Sequence, residues 1–185
     1  MILPIYAYGQ PVLKKIARPI DKDYPELQQL ISDMWETMEE ANGVGLAAPQ
    51  IGKSIRLFII NSGPMYPEGE EGKGIKQVFI NAEIIEEAGA DCSYSEGCLS
   101  IPDITGDVDR PEEITITYQD EEFNEYTTTF TGMNARVIQH EYDHIEGILF
   151  TEMLSPLKKR LLKRKLTKIR NGDIEQKYRM KFVRV

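Results

Sequence analysis

His140-Glu141-Tyr142-Asp143-His144 contains the only two histidines in the chain, four residues apart. On a helix, positions i and i+4 lie one turn apart on the same face, so both imidazoles can reach one metal ion. Glu141 follows the first histidine and can meet a metal-activated water without being a ligand, which suits a general base and acid. Two histidines leave a tetrahedral ion short of a protein ligand. Downstream of His144 the candidates are carboxylates: Glu146, Glu152, Asp173 and Glu175. Upstream, Glu96-Gly97-Cys98-Leu99-Ser100 places a thiol beside a glycine, where backbone approaches a ligand closely. Cys98 is the better third ligand. Cys92, in a less constrained stretch, reads as an ordinary thiol. A thiolate in the set suits zinc or iron.

A third motif is Gly43-Val44-Gly45-Leu46-Ala47-Ala48-Pro49-Gln50. Side chains this small let backbone N–H and C=O groups meet a substrate, with Gln50 as the polar side chain the segment presents. A Rossmann phosphate loop is excluded, because the run follows a helix and lacks the third glycine. Asp143 can pair with Arg110 to fix the histidine helix.

The elements that must carry these residues are partly visible. Asp23 and Glu26 form a capping-box pattern. Behind it Leu27, Leu30, Ile31, Met34, Met38 and Ala41 keep helical spacing up to Asn42-Gly43. Ile55–Asn61, Gln77–Ile80, Ile114–Tyr118 and Tyr126–Phe130 read as strands. Ser62–Gly74 is rich in glycine, proline and glutamate and reads as a mobile surface loop. A second helix is expected from Thr131-Gly132 to Gly147, carrying both histidines. A third is capped by Ser155, starts at Pro156 and stops at Asn171-Gly172. Strands grouped between helices, with helices first and last, predict an α+β fold rather than an alternating parallel sheet. The segment 173–185 is expected to end as an edge strand at Phe182-Val183.

At 185 residues the chain is expected to form a single domain, 1–185. Two cysteines make no disulfide framework, and in a reducing compartment both stay thiols. No apolar run approaches the roughly 20 residues of a membrane span, and the opening lacks a signal-peptide pattern, so a cytoplasmic location is expected. The net charge of −8 conceals a basic C-terminal helix, residues 156–172, with eight Lys and Arg residues and no acidic one up to Arg170. Such a helix can meet RNA phosphates.

Gly43–Gln50, Glu96–Ser100 and Gln139–His144, in that order, closely resemble the motifs of peptide deformylases, which remove the N-formyl group from newly made bacterial-type polypeptides. The likeness runs from Leu3–Pro11 to Leu154–Leu157. It implies an α+β fold with antiparallel strands packed around a central HExxH-bearing helix and a C-terminal helix, and one divalent metal ion, Fe2+ in preference to Zn2+, Ni2+ or Co2+, held by Cys98, His140 and His144. It further implies Glu141 as general base and acid, with Gln50 and the Leu99 N–H steadying the oxyanion. Gly43, Val44, Gly45, Gly97 and Val137 would bind an N-formylmethionyl peptide. Ribosome contact through the basic helix is an accessory expectation, and neither membrane nor DNA is expected as a partner. Two departures stand out. Asp103–Asp109 is acidic where some relatives are basic, and Arg136 is a polar residue where the methionine pocket is expected, its head reaching water. The rivals are a zinc peptidase and a catalytically silent, metal-stapled ribosome-binding module.

Overall fold

A computed structural model describes residues 1–183, so the last two residues of the tail lie outside it. The elements in order are β1 (Ile5–Tyr6), α1 (Leu27–Glu40), β2 (Gly45–Ala47), β3 (Leu57–Asn61), β4 (Lys76–Cys98), β5 (Ile101–Gln119), β6 (Glu125–Thr131), α2 (Gly132–Ile145), α3 (Pro156–Asn171) and β7 (Met180–Lys181). Strands β2 to β6 form one antiparallel sheet in sequence order, with β2 at an edge, while β1 pairs in parallel with β7. The fold is α+β.

Strand β3 shows why the sheet is sandwiched. Its run Leu57-Phe58-Ile59-Ile60 is apolar without alternation, because both faces are covered. Phe58 and Ile60 pack with Phe79, Ile114 and Ile116 against Ala135, Ile138 and Ile145 of α2. Leu57 and Ile59 face the other way, onto Leu27, Ile31, Met34 and Met38 of α1. A third cluster joins Leu162 and Ile169 of α3 to Ile101, Ile104, Val108 and Phe150.

The helix ends follow local chemistry. Asn42 takes a left-handed φ of 54° after α1, and Gly43 N–H closes back on the Met38 carbonyl at 2.9 Å. Gly147, at φ 73°, does the same for α2. Ser155 Oγ accepts the Lys158 N–H at 3.2 Å, and Gly172 ends α3 at φ 78°. The capping box at Asp23 does not form: α1 starts at Leu27, with Glu26 left-handed at φ 54° and no side-chain cap. Pro25 is the reason, since a proline drives the residue before it, Tyr24, out of the helical region.

The larger difference is the hairpin β4–β5, which runs far beyond the short strands read at Gln77–Ile80 and Ile114–Tyr118. Its register shifts four times, between Ile80/Glu83, Ile84/Glu86, Ala88/Asp91 and Gly97/Cys98. Between Ile104 and Arg110 of β5 the buried positions are Ile104, Gly106, Val108 and Arg110, so burial alternates there without an alternation of apolar residues. The tail strand forms at Met180–Lys181, two residues before the predicted Phe182-Val183. Ser62–Gly74 is a largely exposed connection whose base closes through Ile75 N–H to Ser62 Oγ at 2.9 Å. Among the described residues no helix is long and apolar enough to cross a membrane.

Candidate metal centre

Two elements, α2 and β4, converge at one end of the hairpin. Helix α2 buries its apolar stripe against the sheet and turns His140, Glu141 and His144 toward the last residue of β4, Cys98. One ligand atom from each of Cys98, His140 and His144 lies within 4.8 Å of the others. Cys98 Sγ and His144 Nε2 are 3.3 Å apart, close to the roughly 3.5 Å that separates ligands around a tetrahedral ion with bonds of about 2.0–2.3 Å. The donor set fits a soft to borderline divalent cation.

Glu96 organises the surroundings of that set. In a strand, residues i and i+2 share a face, so Glu96 looks the same way as Cys98. Its Oε1 meets His140 Nδ1 at 2.9 Å, which leaves Nε2 of that ring to face Cys98. Arg110 grips the same carboxylate with two N–H groups, at 2.6 and 2.9 Å, and donates a third to Asp143 at 2.8 Å. Arg136 adds a bond to Glu96 at 2.8 Å and another to the Val108 carbonyl at 2.8 Å. All three side chains are about 5% exposed. Burial alone would raise the Glu96 carboxyl, but Arg110 and His140 hold it well below the ordinary range.

The expected Arg110–Asp143 pair is therefore present. The expectation for Arg136 is overturned: its head does not reach water but is drawn inward by the Glu96 charge. Sequence reasoning found Glu96 only as a neighbour of Cys98. The usable signals were its two-residue offset from Cys98 and two arginines that needed an anion.

The imidazoles respond in opposite directions. Burial disfavours charge on both, yet Cys98 and Glu96 together push His140 well above its ordinary value. Burial, reinforced by the neighbouring His140 charge, holds His144 well below. A cation needs both rings neutral, so its uptake displaces a proton from this cluster. Burial also pushes the Glu141 carboxyl up to about 7. Among the described residues, buried Glu141 Oε2 has no hydrogen-bond partner, and neither has His144 Nδ1. An unpartnered buried carboxylate oxygen beside this Cys-His-His cluster is placed where a general base or acid would be needed.

A cleft of about 480 Å³ opens on this cluster, within the rough 300–1,000 Å³ span of ligand-sized sites. Gly43, Val44, Gly45, Gln50, Gly97, Leu99 and Val137 all line it, alongside Cys98, His140 and Glu141, while His144 lies behind. Gln50 is fixed by accepting the Ala47 N–H at 2.9 Å, and its amide nitrogen points to Ser100 Oγ at 3.2 Å and Cys98 Sγ at 3.5 Å. Of the acidic stretch only Asp103 lines the cleft; Asp107 and Asp109 point outward. The Cys92 thiol is exposed and takes no part.

Two glycines hold the cleft open. A Cβ on Gly43 would come within 2.7 Å of Leu99 Cδ1. A Cβ on Gly45 would lie 2.7 Å from Glu141 Cδ and overlap Oε1. Gly45→Ala is accordingly expected to displace the carboxylate and lower kcat by about 10²-fold, as misplacing a reacting group by about 1 Å commonly does. Unchanged kcat in a variant of unchanged melting temperature would refute this reading of Gly45.

A buried carboxylate poised beside a Cys-His-His cluster on an α+β scaffold defines a metal-dependent hydrolase. Comparison with known proteins sharpens the class. The sequence pattern of the polypeptide deformylase family matches residues 2–160. The chain is 55% identical to a peptide deformylase of Christiangramia forsetii, covering 98% of this chain and 96% of that one. It is 52% identical to the peptide deformylase of Flavobacterium johnsoniae over the same shares. Among solved structures, a peptide deformylase from Legionella pneumophila superposes with a TM-score of 0.79 at 40% identity, covering 91% of this chain and 95% of that one. The chain belongs to the polypeptide deformylase family.

Proposed function

We propose that residues 1–185 act as one catalytic domain that hydrolyses the N-formyl group of N-formylmethionyl nascent polypeptides, releasing formate, with roles divided as follows. Cys98, His140 and His144 would hold the divalent ion, which when bound supplies Lewis acidity toward water and a carbonyl oxygen. Glu141 accepts the proton of the attacking water and returns it to the leaving amine. Gln50 Nε2 and the Leu99 N–H donate to the formyl oxygen as negative charge gathers there; loss of one such donor commonly costs about 3 kcal/mol of barrier. Gly45 opens the edge strand β2 and Val44 precedes it, both lining the cleft, where an extended peptide can add as a further strand. Gly43, Gly97 and Val137 shape the pocket beside it.

The observation that carries this reading is the unpartnered oxygen of Glu141, a residue that lines the cleft together with Cys98 and His140, with His144 behind them. Selectivity is steric, since the glycines leave room for a formyl hydrogen and not for a methyl. Purified protein is expected to cleave formyl-Met-Ala-Ser and to leave the acetyl analogue intact. Efficient deacetylation would defeat the proposal, and internal peptide cleavage would point instead to a peptidase.

Fe2+ is the favoured ion, with Zn2+, Ni2+ and Co2+ as alternatives that the soft sulfur also accepts. The iron form, prepared without air, is expected to outperform the zinc form and to fade on exposure to oxygen, because Fe2+ and the Cys98 thiolate are both oxidisable. Equal anaerobic activities would remove the reason for preferring iron.

The site of action is placed in the cytoplasm, close to translating ribosomes. All eight cations of α3 are exposed, which supports a salt-sensitive contact with ribosomal RNA. Reversing four of them to Glu is expected to abolish co-sedimentation with ribosomes while leaving peptide hydrolysis intact.

A further inference from the structure

The segment that follows α3 returns to the catalytic cleft, where Lys177 and Tyr178 form part of the wall. It is held along its length: Met180 and Lys181 pair with Ile5 and Tyr6, and Gln10 Nε2 donates to the Phe182 carbonyl at 2.7 Å. At the cleft it makes two attachments. Tyr178 donates its hydroxyl to the Leu99 carbonyl at 2.7 Å, and Lys177 Nζ pairs with Asp103 Oδ1 at 2.5 Å. These bracket the turn that joins Cys98 to β5. Lys177 and Asp103 are both well exposed, so their pair is a weak fastener. The Tyr178 bond is half-buried.

We infer that Tyr178 is a positioning residue for deformylation, acting through the Leu99 peptide rather than by touching substrate. The inference rests on the proposed role of the Leu99 N–H as a donor to the oxyanion. Leu99 lies between an anchored metal ligand and Ser100, whose carbonyl accepts the Tyr8 N–H at 2.8 Å and whose hydroxyl meets Gln50 at 3.2 Å. That leaves the Leu99 carbonyl itself, and Tyr178 is its side-chain partner. With peptide planes rigid, only φ and ψ of Leu99 separate this carbonyl from its own N–H. Pinning the one restrains the direction of the other. Burial raises the Tyr178 phenol further above its ordinary value, so the hydroxyl keeps its proton and stays a donor throughout the neutral range.

Donors aimed at a developing charge act in the transition state and hardly at all in the ground state. Tyr178→Phe, which keeps the ring, is therefore expected to lower kcat for formyl-Met-Ala-Ser by about tenfold, a fraction of what loss of a whole oxyanion donor costs. KM, bound metal and the inhibition constant of the product Met-Ala-Ser should stay within about twofold, because none of them requires the oxyanion. Gln50→Leu is measured in parallel, since it removes the other proposed donor directly. A drop in kcat for both variants, with product affinity held, supports the inference. If Gln50→Leu falls and Tyr178→Phe keeps wild-type kcat, the tail has no positioning role. If Tyr178→Phe loses metal or product affinity in step with kcat, the hydroxyl is merely structural and the inference fails. If Gln50→Leu keeps full kcat, the oxyanion assignment fails first and this inference falls with it.

Discussion

Glu141→Gln is expected to lower kcat for formyl-methionyl peptides by about 10²–10⁴-fold, the usual contribution of a positioned acid–base group, with metal content unchanged. Glu141 is not one of the three residues proposed as ligands, and among the described residues its Oε2 has no hydrogen-bond partner. Glutamine keeps the size of the side chain, so the packing against Gly45 survives while the ability to take a proton is lost. Stability should move the other way. A carboxyl raised to about 7 by burial is a group whose ionised form the fold disfavours, so above neutral pH it subtracts from stability. Glutamine has no charge to bury, and the metal-free variant should unfold at a higher denaturant concentration than the wild type at pH 8. Loss of activity together with loss of metal would mean that Glu141 is a ligand after all. Full activity would favour the metal-stapled binding module over an enzyme.

The parts of this molecule that were legible in sequence are those set by neighbours along the chain. Asn42-Gly43, Ser155-Pro156 and Asn171-Gly172 mark helix ends because capping is a matter of a few consecutive residues. The histidine pair is legible for the same reason, since four residues of helix fix its geometry. The hairpin is hidden because its buried slots include Gly106 and Arg110, so the chain keeps a strand's period in burial and not in hydropathy. Glu96 is hidden more deeply. Its partners Arg110, Arg136 and His140 stand 14, 40 and 44 residues away, and only the long hairpin packed against α2 brings them together. What escaped the sequence is thus one thing seen twice: charged residues occupying positions that elsewhere would be apolar.

That hub carries the largest expected effect on stability. Glu96→Ala would leave Arg110 and Arg136, both buried, without the carboxylate that neutralises them. Asp143 still accepts one bond from Arg110, and the Val108 and Cys92 carbonyls still accept from Arg136, but two positive charges then share one anion. Breaking a buried ion network by removing one member typically costs about 3–5 kcal/mol, a large share of the 5–15 kcal/mol that holds an ordinary domain together. Glu96→Gln should cost less, since the amide oxygen can still accept one guanidinium. The same change reaches the metal. His140 Nδ1 loses the acceptor that fixes its ring, a loss that commonly weakens metal binding by about 10–100-fold. Denaturant unfolding of the metal-free variants measures the first effect, and competition with a chelator measures the second. Stability near that of the wild type, with metal affinity intact, would show that the arginines are adequately served by backbone carbonyls alone. A fall in metal affinity without a fall in stability would instead confine the role of Glu96 to orienting His140.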